Sequence, residues 1–82
     1  MPISDEKELL ILMQEDDSES FAKLFHLYNR QVYAFSCNIL PSAEDAEEIV
    51  QNVFMAIWNQ RKTLRISTTF LSYLFGIARH MI

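Results

Sequence analysis

The chain has 82 residues, half of them hydrophobic and 22% charged, with a formal net charge of −4. This is the composition of one small globular domain with a small core, and it excludes a disordered chain. One glycine and two prolines are too few turn residues for an all-β domain, which needs them every ~8–12 positions, so the expected fold is all-α.

The first predicted helix spans about Asp5 to Gln14. Ser4 is its expected N-cap, Asp5 and Glu6 suit its first turn, and Leu9, Leu10, Leu12 and Met13 form its apolar face. It is short and needs docking to persist. Asp16-Asp17-Ser18-Glu19 reads as a second helix start, with Asp16 and Glu19 spaced as a capping box. The helix that follows carries Phe21, Leu24, Phe25, Tyr28, Val32, Phe35 and Ile39 at spacings of three and four, and Pro41 ends it near Asn38 or Leu40. Ser42 is the next N-cap, with acidic residues facing the positive helix end. In this third helix Ala46, Ile49, Val50, Val53, Phe54, Ile57 and Trp58 are the expected buried positions. Glu44, Glu47, Glu48, Gln51, Asn52, Met55 and Asn59 form the opposite face. Arg61 to Ser67 lacks a helical period and reads as a loop. Ser67, Thr68 or Thr69 caps a last helix whose buried stripe is Phe70, Leu71, Leu74, Ile77, Ala78 and Met81. The expected architecture is a compact bundle of three principal helices with a short N-terminal helix. The last helix stops uncapped at Ile82, so residues 1–82 are expected to be one domain of a longer protein.

No apolar run, neither Leu9 to Met13 nor Val53 to Trp58, is long enough to cross a membrane, and the first residues lack the basic and apolar regions of a signal peptide. Together with the single cysteine, Cys37, this points to a cytoplasmic protein without a disulfide framework. Cys37 lies next to the second helix's apolar stripe and has no cation near it in sequence, so it is expected to be buried and unreactive. His26 and His80 fall in different helices without ligand spacing. No Glu-x-x-His pair, glycine-rich phosphate loop or nucleophile with a base stands out. No metal, no cofactor and no catalytic residue is expected.

Charge is distributed unevenly. Seven carboxylates lie between Asp5 and Glu19 and the other four between Glu44 and Glu48. Gln60 to Ile82 has no acidic side chain but holds Arg61, Lys62, Arg65 and Arg79. This asymmetry suggests two partner surfaces. On the third helix, Glu48, Gln51, Asn52 and Met55 are either a solvated face or a docking face. Met55 is an apolar residue among polar ones, and Glu48 could steer a basic partner helix. At the end of the chain, Arg61, Lys62, Arg65, Ser67, Thr68, Phe70, Tyr73, Arg79 and His80 mix cations, hydroxyls and aromatics. That mixture suits a single-stranded nucleic acid, whose phosphates and unstacked bases need those groups. The bland alternative is packed aromatics and solvated arginines.

Three blocks read together resemble the second conserved region of extracytoplasmic-function (ECF) sigma factors, promoter-specificity subunits of bacterial RNA polymerase. They are Phe21-Ala-Lys-Leu-Phe-His-Leu-Tyr28, then Ala43-Glu-Asp-Ala-Glu-Glu-Ile-Val-Gln-Asn-Val-Phe54 with Trp58, then Phe70-Leu-Ser-Tyr-Leu-Phe-Gly-Ile-Ala-Arg79. The resemblance implies that the third helix docks on the clamp helices of the polymerase's largest subunit through Glu48, Gln51 and Asn52. It also implies that Arg61 to His80 captures the non-template strand of the minus-ten promoter element and holds a flipped base. An anti-sigma factor is a further implied partner. Tyr73 stands where the family usually has Trp, and His80 where Asn is common. The rival expectation, from the acidic balance, is a helical adaptor or anti-regulator that does not bind DNA.

Overall fold

A computed structural model describes residues 6–82. Four helices occur among them and no strand: α1 (Glu6–Gln14), α2 (Ser18–Cys37), α3 (Ala43–Asn59) and α4 (Phe70–Met81), with a single 3-10 turn over Arg61–Thr63. The expected Ser4 cap and Asp5 lie outside the described residues.

Helix α2 is the centre of the bundle and packs on α1, α3 and α4. Leu24 and Val32 of α2, Val53 and Ile57 of α3, Phe70, Leu74 and Ala78 of α4, and Met13 of α1 are completely buried. Each set follows the three-and-four spacing that places side chains on one helix face. Aromatic rings join α2 to α3: Phe25 meets Phe54 edge-on at 5.0 Å, and Phe21 lies 5.0 Å from Trp58. Phe35 and Phe75 stack at 4.6 Å and join α2 to α4. The two buried polar residues among those described are satisfied locally, Ser36 Oγ donating to the Val32 carbonyl and Ser20 Oγ to Asp17 Oδ2.

The boundaries have local causes. Ser42 caps α3, its Oγ accepting from the Glu44 and Asp45 N–H groups, and Thr69 caps α4 through the Ser72 N–H. The junction of α1 and α2 is not the expected capping box. Asp17 is the N-cap of α2, and its carboxylate takes the Ser20 hydroxyl instead of a backbone N–H. Asp16 has φ 75 and closes α1. The Asp17 N–H donates to the Leu12 carbonyl and the Asp16 N–H to that of Met13, which is the Schellman arrangement with Asp at the left-handed position usually held by Gly.

Several expected burials are corrected. Ile39 is half exposed because α2 ends at Cys37, two residues before it, and Leu40 turns inward instead. Pro41 follows Leu40, which disfavours helix at that residue. Cys37 is exposed, although the adjacent Ser36 is fully buried. Met81 is exposed at the end of α4, and Trp58 is only partly buried, packed at a tilt against Phe21 and covered by the Arg61 guanidinium at 3.9 Å. The expected loop from Arg61 begins with the 3-10 turn.

Candidate functional site

Glu48, Gln51, Asn52 and Met55 are all exposed on α3, and Met55 presents 60% of its surface to solvent. Periodicity explains why: Ala46, Ile49, Val50 and Val53 turn the other face of the helix inward. Beside this face runs an open groove of about 480 Å³ between α2 and α3, lined by Phe25, Asn29, Arg30 and Tyr33 from α2 and by Glu47, Val50 and Gln51 from α3. Phe25, Asn29 and Tyr33 recur every four residues and so form one row along α2. Spacing along α2 alone does not announce this wall. Its available signal was the polar pair Asn29-Arg30 beside the apolar stripe. The Cys37 side chain next to Tyr33 pushes that phenol above its usual range. A second concavity of about 250 Å³ is formed by Ser18, Phe21, Met55, Trp58 and Asn59. Of the four residues expected to dock a partner, Gln51 lines one concavity and Met55 the other, with Asn52 between them in sequence and Glu48 preceding Gln51.

The expected strand-binding residues fall into three groups. Phe70 has no exposed surface and packs edge-on against Tyr28 at 5.7 Å. Its ring offers no face to a base, which corrects its place among the contacts. Arg61 and Lys62 are tied to the protein. The Arg61 guanidinium donates from Nε and Nη2 to Asp16 Oδ1, both at 2.8 Å, and from Nη1 to the Trp58 carbonyl. Lys62 Nζ donates to the Gln14 carbonyl at 2.8 Å and pairs with Asp16 at 3.1 Å. The Arg61 hydrogen bond, then that of Lys62, holds the Asp16 carboxyl below its ordinary value of 3.8. The third group is accessible. Arg65, Ser67, Thr68, Arg79 and His80 are exposed, and Tyr73 is partly exposed against the core. Among the described residues Arg65 and Arg79 make no ion pair. Arg79 lies 5.7 Å over the Phe35 ring, within cation–π reach.

The positions of His26 on α2 and His80 on α4 keep them in separate elements, and no group of three metal-ligating side chains forms among the described residues. No helix of the described residues is long and apolar enough to cross a membrane.

The family described as Sigma-70 region 2 has a model that matches residues 24–82, which is most of α2 and all that follows it. The chain belongs to the sigma-70 region 2 family. No curated protein matches it. The sigma domain therefore has a role in transcription initiation, binding RNA polymerase and recognising promoter DNA. Helix α1 precedes the matched residues, although its Met13 belongs to the same core.

Proposed function

We propose that this sigma domain is of the ECF type, acts in the cytoplasm, and divides its two tasks between two surfaces. The α2/α3 groove and the exposed face of α3 dock on the clamp helices of the polymerase's largest subunit. The segment from Arg65 through α4 captures the non-template strand of the minus-ten element and traps it melted. The domain does no chemistry of its own; binding energy selects the open strand while the polymerase supplies catalysis.

The observation that carries the docking half is the groove. A partner helix laid into it would meet apolar walls at Phe25 and Val50, with Arg30 and Glu47 available for opposite charges and Asn29 and Gln51 for hydrogen bonds. That is the mixture of anchors and orienting groups that a helix-in-groove contact needs. The strand-capturing half is supported by the exposed hydroxyls, cations and Tyr73 gathered after Leu64. A base stacked on an aromatic face is worth ~1–3 kcal/mol, which offsets the few kcal/mol that unstacking costs.

The test is a titration of the sigma domain against the clamp-helix fragment of the largest subunit, alongside a Glu48→Arg, Gln51→Ala double variant. Saturable binding lost in the variant supports the reading. Equal binding by both proteins would move the docking surface off α3. No binding by either, with both folded, would favour an interaction module of another kind.

A further inference from the structure

We propose that α1 and the turn after it position the promoter-binding segment, with Glu6, Gln14 and Asp16 as its positioning residues. This inference rests on the reading of residues 61–82 as the strand-capturing surface. Beyond Thr63 the chain has no regular structure until Phe70, so the loop's shape cannot come from its own backbone ladder. Its long-range polar anchors instead converge on one short stretch of chain. The Gln14 side-chain amide donates to the Leu64 carbonyl at 3.4 Å, and the Gln14 carbonyl accepts from Lys62. Asp16 accepts from Arg61 and Lys62. At the far end of the loop, one oxygen of Glu6 accepts from the Phe70 N–H at 3.3 Å, and the other accepts from the Tyr28 hydroxyl.

Glu6 thus joins the start of α1, the middle of α2 and the first residue of α4. A carboxylate at that helix N-terminus also meets the positive end of its dipole. Apolar contacts run parallel to these bonds: Leu64 and Ile66 of the loop lie across a small cavity of about 130 Å³ from Leu10, Met13 and Gln14. Asp16 reaches its partners from a left-handed backbone position that a non-glycine residue adopts at a cost, and such outliers persist where the surrounding contacts fix them.

Order supplied in advance is order that binding need not create. A loop held at 61–64 and again at 70 presents Arg65, Ser67 and Thr68 on a fixed frame, so a strand docking there loses less conformational freedom. Loosening α1 should therefore lower the loop's selectivity for sequence more than it lowers attachment to polymerase.

The experiment uses polymerase holoenzyme assembled with the full chain, carrying wild type, Glu6→Ala, Glu6→Gln or Gln14→Ala. The probe is a random-sequence pool of single-stranded DNA, and bound strands are sequenced. Amide exchange of the free chain is followed at 64–70 and, for comparison, at the α3 core. The expected result for Glu6→Ala and Gln14→Ala is an enrichment of preferred strands reduced about 3- to 10-fold, the range that loss of one or two hydrogen bonds allows. Exchange at 64–70 should be faster, with α3 protection and polymerase binding unchanged. Glu6→Gln, which keeps an acceptor oxygen, should restore enrichment. Selection and exchange at wild-type level in all variants would overturn the positioning role alone. Loss of α3 protection in step with selection would overturn it too, by showing only a stability effect. A wild-type holoenzyme that selects nothing beyond what core polymerase selects would instead remove the strand-capturing reading and this inference with it.

Discussion

Phe70→Ala separates packing from DNA contact at a residue whose chemistry suits both. The ring has no exposed surface and meets Tyr28 at 5.7 Å, so truncation removes a fully buried aromatic from the junction of α2 and α4. Transfer of such a side chain into the core is worth ~1.5–3 kcal/mol. With the cavity left behind, Phe→Ala changes cost about 3–5 kcal/mol. A domain of this length has roughly 4–12 kcal/mol of total stability by the usual per-residue range. The variant should therefore melt at least ~12 °C lower, since each kcal/mol moves Tm by about 4–8 °C at this size. Thermal unfolding by circular dichroism reads the shift. Strand binding by holoenzyme, measured well below the variant's Tm, should fall far less than removal of a stacked base would require. An unchanged Tm with strand binding reduced tenfold or more would refute the reasoning and return the ring to the DNA surface.

Three other outcomes are expected. Ser42→Ala should destabilise the domain by about 0.5–2 kcal/mol, because the Glu44 and Asp45 N–H groups lose their cap; urea midpoints at matched m-values measure it. Burial first, and then the hydrogen bond to Glu6, pushes the Tyr28 hydroxyl up from 10.0 to about 12. Above pH 10 the unfolded chain loses this proton while the folded one keeps it, so the contribution is intact below pH 10 and disappears as pH rises towards 12. Urea titrations of wild type and Tyr28→Phe across that window should show the extra alkaline loss in wild type only. Arg79→Ala should weaken promoter opening with little change in Tm, since its side chain is exposed and its contact with Phe35 is long; equal opening by mutant and wild-type holoenzyme would remove Arg79 from the strand surface.

Helix number, order and most of the core were legible because the determinants are local. Leu24, Val32, Val53, Ile57, Leu74 and Ala78 sit at helical spacing, and Ser42 and Thr69 are caps by chemistry. The errors share a cause, which is that spacing gives a face without saying what lies opposite. Nearness to the α2 stripe suggests burial for Cys37, and spacing within the stripe suggests it for Ile39, yet the helix has ended by Ile39 and Cys37 points outward beside Tyr33. Phe70 suits both the stripe and the strand surface by chemistry, and its burial places the ring in the stripe. At the site, exposure of the α3 face followed from periodicity, but the α2 wall of the groove needed the approach of two helices. The pairing of Asp16 with Arg61 and Lys62 spans more than forty residues of sequence, and nothing in the local pattern announces it. Asp16 has the chemistry of a common cap, but its left-handed backbone turns the carboxylate to a different use.

A net charge of −4 and a promoter-binding role are compatible where polymerase binding, more than charge, brings the domain to the strand. Arg61, Lys62, Arg65 and Arg79 are the cations of the last part of the chain, and the first two already face the Asp16 carboxylate. In the proposed reading that leaves Arg65 and Arg79 to meet phosphates. Two neutralised phosphates on a single strand give a salt slope of only about −1.4. So shallow an electrostatic term makes for weak non-specific attachment, and the acidic α3 face opposes it further. Strand capture then depends on polymerase binding, which fixes the domain beside the melted promoter at high effective concentration, and on base contacts that discriminate. A slope twice as steep, about −2.8, measured with holoenzyme against core polymerase, would mean that Arg61 and Lys62 leave Asp16 for the DNA backbone, and the tie between loop and α1 would then be a contact that promoter binding breaks.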